Sequence, residues 1–180
     1  NPTFVSRDER RWNRVGRAAF TVDRAIDEGQ SLSFNMFVEP KVLQRSERNR
    51  FRDFTRFHIG GSAVGQVGCP PVPGLELRSR AGIDEALQDG AILFYNVANG
   101  GRGTTLRANK REAANGAGGF LEQEATWNDR WSARASLRYD HILYVSEDHV
   151  SPELDARKRF TRFTPKGSLS YLAGAHTVYA

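Results

Sequence analysis

Apolar side chains recur at every second position over several stretches of this chain. From Val15 to Ile26 the even positions Ala18, Phe20, Val22 and Ile26 are apolar, interrupted by Gly16 and Arg24, and the odd positions carry Arg17, Thr21 and Asp23. A period of two is that of a strand with one greasy face. Asp27-Glu28-Gly29-Gln30 reads as a turn, after which the alternation resumes. Leu32, Phe34, Met36, Val38 and Val42 share one face; Ser33, Asn35, Glu39 and Lys41 share the other, with Phe37 an exception. Two such runs around a short turn predict a hairpin. A second hairpin is predicted around Asn128-Asp129-Arg130. Leu121, Ala125 and Trp127 face away from Glu122, Glu124 and Thr126 before the turn. After it, Trp131, Ala133, Ala135, Leu137 and Tyr139 alternate with Ser132, Arg134, Ser136, Arg138 and Asp140. A further run places Phe163, Pro165, Gly167, Leu169 and Tyr171 against Arg162, Thr164, Lys166, Ser168 and Ser170, and ends at Ala173-Gly174-Ala175 before another strand begins.

Between the hairpins the alternation fades. Residues 44–112 contain the arginine-rich QRSERNRFRDFTRF, glycine clusters, the proline-rich CPPVPG and an acidic piece from Asp84 to Asp89. This segment is expected to be one long loop, the acidic piece a short helix and Ile92 to Val97 part of a hairpin arm. Loops of that length are usually functional.

Alternation alone fits a soluble sheet with one solvated face as well as a membrane barrel. Three features favour the barrel. The runs cover about the 9–11 residues that a tilted strand needs to cross a bilayer. Trp127, Trp131 and Tyr171 lie beside turns, where an interfacial aromatic girdle belongs. Connections of three or four residues at 27–30, 128–130 and 173–175 alternate with long ones at 44–112 and 146–158, as short periplasmic turns and long outer loops would. The polar face carries Glu122, Glu124, Arg134, Arg138, Asp140 and Lys166, which suit a watery lumen and not a packed core. The expected fold is all-β: an antiparallel transmembrane β-barrel segment of about six strands, with an incomplete barrel.

Bulk composition does not contradict this. No stretch approaches the roughly 20 apolar residues of a membrane-spanning helix, and the mean hydropathy of −0.56 is what strands apolar only at alternate positions average to. The net charge of +5 implies anionic contacts, whether loop salt bridges, lipid phosphates, an anionic ligand or nucleic acid. Cys69 is the single cysteine, so no intrachain disulfide forms, and a spare thiol is expected there. Neither end carries the marks of a leader or a finished strand, so a fragment of a longer protein is expected.

The segment from Gly119 to Ala180 resembles the barrel of TonB-dependent outer-membrane receptors. GFLEQEATWNDRWSARASLRYDH is similar to that family's unit of strand, short turn with Trp, and strand ending in LRYD. FTPKGSLSYLAGAHTVYA resembles the unit that follows, an F-[ST]-P-K strand, a short turn and a strand ending in Tyr-Ala. Residues 12–43 are compatible with an upstream hairpin. The resemblance implies residence in the bacterial outer membrane and active uptake of a scarce nutrient, such as a ferric siderophore. It implies a lipid bilayer with lipopolysaccharide as surroundings, and energy from a TonB complex that acts through an N-terminal region. The plug and that region precede the barrel in the family and are expected to be absent here. It implies neither catalysis nor a cofactor; a barrel enzyme and a soluble anion- or nucleic-acid-binding sheet are the alternatives.

The candidate ligand contacts follow from side-chain chemistry. Arg48, Arg50, Arg52 and Arg56, with Phe54 and His58, combine charge-assisted hydrogen bonding with stacking, which an anionic, ring-bearing ligand favours. Single-stranded nucleic acid favours it too, but with the barrel pattern it is not expected as a partner. His58, His141, His149 and His176 are too scattered for a metal cluster. No Ser/His/Asp spacing suggests a hydrolase.

Overall fold

The computed structural model describes residues 11–180, with the side chains of residues 69–72 outside the described set, so the expectation for the Cys69 thiol lies outside it too. Nine strands make one antiparallel sheet: β1 Arg11–Val15, β2 Ala18–Asp27, β3 Gln30–Glu47, β4 Arg50–Val72, β5 Leu75–Ala98, β6 Gly101–Trp127, β7 Trp131–Asp148, β8 Ala156–Ala173 and β9 His176–Tyr179. Each pairs with its neighbour in sequence, except that β1 and β2 both pair with β3. Val15 lies opposite Lys41 and Ala18 opposite Val38, so β1 and β2 form one strand interrupted at Gly16-Arg17. One 3-10 turn, Pro152–Leu154, is the only helical piece among the described residues.

The all-β class is therefore as expected, but the sheet has nine strands and not six. Residues 44–112 are not a loop: they contain the end of β3, all of β4 and β5 and the start of β6. Asp84 to Asp89 is strand within β5, not helix, and Ile92 to Val97 belongs to that same strand. The long connections dissolve into long strands joined by tight turns. Arg48 and Asn49 take φ of 50° and 62°, and Asn99 and Gly100 take 50° and 73°, the left-handed pair that suits a two-residue hairpin. Pro73 and Gly74 (φ 78°) close β4 onto β5. The connection at 149–155 is the longest among the described residues.

Turns at 28–29, 73–74, 128–130 and 174–175 gather at one end of the sheet, here the girdle end, and those at 48–49, 99–100 and 149–155 at the other, the far end. The girdle-end turns are cross-linked: the Asn128 amide donates to the Gly74 carbonyl at 2.7 Å, and the Leu172 amide to the Arg130 carbonyl at 2.8 Å.

Directly paired residues project to the same side of a sheet, so the register assigns both faces. One carries Leu32, Phe34, Met36, Val38, Ile59, Ile83, Leu121, Leu137, Phe163 and Leu169, all exposed. The other carries Ser33, Asn35, Phe37 and Glu39, each half-buried between exposed apolar neighbours. The polar side is thus the concave, sheltered one and the apolar side the convex, outer one. Among the described residues only Phe54 and Ile92, directly paired, are buried apolar side chains. Among the described residues there is no second layer and no conventional core. A single curled sheet with an apolar exterior is a segment of barrel wall, open at the β1/β2 edge and along β9 and the part of β8 that β9 does not pair with.

Ion pairs tie the concave face across strands. Arg138 reaches over β6 to Asp84 (2.7 Å) while also holding Asp140 (2.8 Å), and Arg134 pairs with Glu124 (3.0 Å). The reach of Arg138 depends on Gly118, because a Cβ there would collide with the guanidinium. Gly116, two positions along the same strand and face, has open space. At the far end Asp148, 6% exposed, organises the 149–155 connection. It accepts from the amides of Val150 (3.0 Å) and Ser151 (3.3 Å), and Asp155 accepts from the Asp148 amide (2.7 Å).

Two outcomes follow. Gly118→Val displaces Arg138 and lowers the unfolding free energy of the folded barrel by up to about 1 kcal/mol, an amount kept small by the pair's exposure. Gly116→Val costs nothing in the same denaturant titration; equal losses would refute the role of Gly118. The Val150 amide, then the Ser151 amide and Lys110, hold the Asp148 carboxyl below its ordinary value. Asp148 lies 17 residues beyond Trp131, further than the roughly 9–11 residues over which a tilted strand crosses a bilayer. A depressed pKa means that the ordering of 149–155 persists above the ordinary value of about 4 and is lost as pH falls through the lowered one. The Val150 and Ser151 amide resonances should therefore titrate below about pH 4, and a midpoint at or above it would contradict the arrangement.

Candidate functional site

Strand β4 rises from its turn at Arg48-Asn49 with no irregularity in its pairing to β3. Its even positions, Arg50, Arg52, Phe54, Arg56 and His58, therefore form one column on the concave face, while Phe51 and Phe57 fall on the outer face. The arginine-rich stretch is a strand that sorts its own side chains: the cations and one aromatic go inward.

At the top of the column lies a cleft of about 410 Å³ lined by Arg45, Glu47, Arg48, Arg50, Arg52 and Phe94. Four arginines meet one carboxylate there, and Arg45 takes that carboxylate at 2.8 Å. Arg48, Arg50 and Arg52 have no carboxylate partner among the described residues. Arg52 lies over the Phe94 ring at 5.0 Å, which fixes its plane and leaves its donors for something else.

Lower in the column the same residue types do structural work. Phe54 packs against its partner Ile92. Arg56 lies 4.6 Å over Phe54 and pairs with Glu112 at 3.2 Å. Two nitrogens here, Arg56 Nε and His58 Nε2, are enclosed without a hydrogen-bond partner among the described residues. Buried polar atoms are seldom left so, and both sit on the face that the intact barrel would enclose. The sequence-derived set thus divides. Arg48, Arg50 and Arg52 surround the cleft, whereas Phe54, Arg56 and His58 lie beneath it. Phe94 escaped the sequence reading, because its place beside Arg52 depends on the β4–β5 register.

Trp127, Trp131 and Tyr171 form a single row across β6, β7 and β8 on the outer face at the girdle end, with the Trp131 and Tyr171 rings 4.4 Å apart. His141 lies within β7 and not in the loop that His149 begins. Among the described residues no group of His, Cys, Asp and Glu is arranged to hold a metal ion. The glycine-rich run Asn115-Gly116-Ala117-Gly118-Gly119 is plain strand in the middle of β6.

Residues 7–180 match the profile described as TonB dependent receptor-like, beta-barrel. No match was found among curated proteins. Among solved structures, the ferric citrate transporter FecA in its unliganded form superposes with a TM-score of 0.73 at 11% identity, over 95% of this chain and 27% of that one. The ferric-catecholate import receptor Fiu from K12 E. coli gives 0.73 at 8%, over 96% and 33%. The RagAB peptide transporter also matches, at 0.52 and 8%, over 97% and 26%. These likenesses concern the fold, and the chain spans about a quarter to a third of each protein's length. The matched profile covers nearly the whole chain, and the chain belongs to the TonB-dependent receptor family as part of its β-barrel.

Proposed function

We propose that this chain forms part of the wall of a bacterial outer-membrane receptor for TonB-dependent uptake of a scarce nutrient, most consistent with an anionic ferric siderophore. The girdle end faces the periplasm and the far end the exterior. Strands β4 to β6 span 23 to 27 residues, more than twice the roughly 9–11 needed for a bilayer. With the aromatic row beside the girdle-end turns, all the excess length projects outward from the far end as stiff hairpins. The arginine cleft then sits at the outer mouth of the lumen. The TonB complex acts through the receptor's N-terminal region, and the lipid bilayer with lipopolysaccharide surrounds the apolar face. No catalytic role is assigned to any residue.

The observation that carries the ligand reading is the cleft itself. Three arginines without carboxylate partners, one braced on Phe94, make a site for several negative charges on a planar group. The ferric citrate and ferric-catecholate proteins named above have the same wall by fold, and the peptide transporter has it as well, so the side chains and not the wall select the cargo.

In the full-length receptor, Arg48→Ala/Arg50→Ala/Arg52→Ala should weaken binding of ferric citrate or a ferric catecholate by at least about tenfold. The loss should shrink as salt rises. Arg56→Ala should instead lower stability through Glu112 and Phe54. Unchanged affinity for both iron complexes in the triple variant would remove the ligand reading.

A further inference from the structure

Strands β3 and β4 are joined by the far-end turn at 48–49, and β5 and β6 by the one at 99–100. The β4–β5 ladder is therefore the seam between two outer hairpins. The arginine cleft straddles that seam: its four arginines and Glu47 come from the first hairpin, and Phe94 comes from the second. Both seam strands are paired on either side at this height, so the open edges of the sheet have no part in the arrangement.

The two backbones of the seam approach closely at glycines. Gly90 on β5 is paired with Arg56 on β4. A Cβ at Gly90 would overlap the Thr55 carbonyl oxygen and lie 2.9 Å from Arg56 Cα and 3.1 Å from Arg56 Cβ. Directly opposed Cβ atoms ordinarily stand about 4.5–5.5 Å apart. Lower on the seam, a Cβ at Gly60 would lie 2.7 Å from the Glu85 carbonyl oxygen. The pairing is regular from Arg50 to Gly68, so no bulge brings the strands together; the missing side chains allow it. The space over Gly90 is also used. Arg56 passes across it to Glu112 on β6, 3.2 Å away, and clasps the first hairpin to the second.

Immediately beyond this point the concave face closes. Phe54 and Ile92, the next pair on that face, are buried. Arg52 and Phe94 follow, with the guanidinium 5.0 Å from the ring centre. Phe94 is four residues from Gly90, about 13 Å at roughly 3.3 Å per residue. A parting of the strands at Gly90 is passed along that short lever to the cleft. We propose that Gly90 is a positioning residue for the anion site: it draws the two outer hairpins together at their seam and so sets Phe94 against Arg52. The proposal rests on the ligand reading above. Any side chain at position 90 meets backbone that cannot rotate away, and a site shared between two elements is loosened by a shift of about 1 Å.

Spin labels at Gln44 and Thr104 of the full-length receptor, one on each hairpin, report the separation by pulsed resonance in bilayers. Gly90→Ala should lengthen it by at least about 1 Å, the step that restores ordinary contact at about 3.5–4.0 Å. It should also weaken binding of whichever of ferric citrate and a ferric catecholate the wild type binds, at least about fivefold. Gly116→Ala, whose Cβ enters open space, should change neither. Glu112→Ala removes the clasp alone and should lower stability while leaving distance and affinity as they are. In Gly90→Ala the two must change together: a change in one alone, or in neither, overturns the inference. So does an equal displacement in Glu112→Ala. A Gly90→Ala chain that never reaches the folded, heat-modifiable form overturns it as well, because Gly90 then serves folding and not position. If Arg48→Ala/Arg50→Ala/Arg52→Ala binds both iron complexes as the wild type does, the ligand reading fails, and the label distance still decides whether Gly90 sets the seam.

Discussion

The structure depends on one constraint: the sheet has a single layer. Between its open edges its backbone polar groups are satisfied sideways, by the strand on either hand, and among the described residues no helix or second sheet covers either face. An antiparallel ladder of this kind tolerates different solvents on its two sides. It can exist with an apolar exterior only where that exterior meets hydrocarbon, and with ion pairs inside only where the interior is wet. The alternation of side chains is the direct imprint of those two environments.

From that constraint the finer features follow. Because the concave side is polar and crowded, long side chains there must find room, and Gly118 provides it for Arg138 on its way to Asp84. On the convex side the apolar band has a limited height, and polar groups reappear where it ends. The Asn115 amide donates to the Glu85 carboxylate at 2.9 Å on the outer face, one step above the row of Ile83, Tyr139 and Phe163. Above that level both faces are free to be polar. The strands continue as hairpins whose tips present the arginine cleft.

The same boundary explains what the sequence revealed. Across β2, β3, β7 and β8 an apolar outer stripe imposes alternation, and the strands are legible. In β4 and β5 much of the length lies beyond the band: Arg52, Asp53, Arg56, Glu85 and Asp89 place charge on both faces, and the periodicity that marks a half-buried strand is lost. Turn chemistry still marked the connections, since Asn99-Gly100 and Pro73-Gly74 are hairpin signals. The arginine-, glycine- and proline-rich composition of 44–112 suggests loop, whereas those turns mark strand ends. The cleft was legible in part, because arginine and aromatic side chains in one stretch suggest anion binding whatever their backbone. Which of them share a face, and that Phe94 joins them, requires the pairing register.

The central claim is that the convex face contacts lipid and the concave face water across one continuous wall. Spin labels placed one at a time along residues 131–140 and 161–170 of the full-length receptor in bilayers measure this most directly. Odd positions should be accessible to oxygen dissolved in the lipid and protected from a water-soluble nickel reagent, and even positions should show the reverse. Uniform accessibility along either strand, or lipid contact at Arg134, Arg138 or Lys166, would contradict the account.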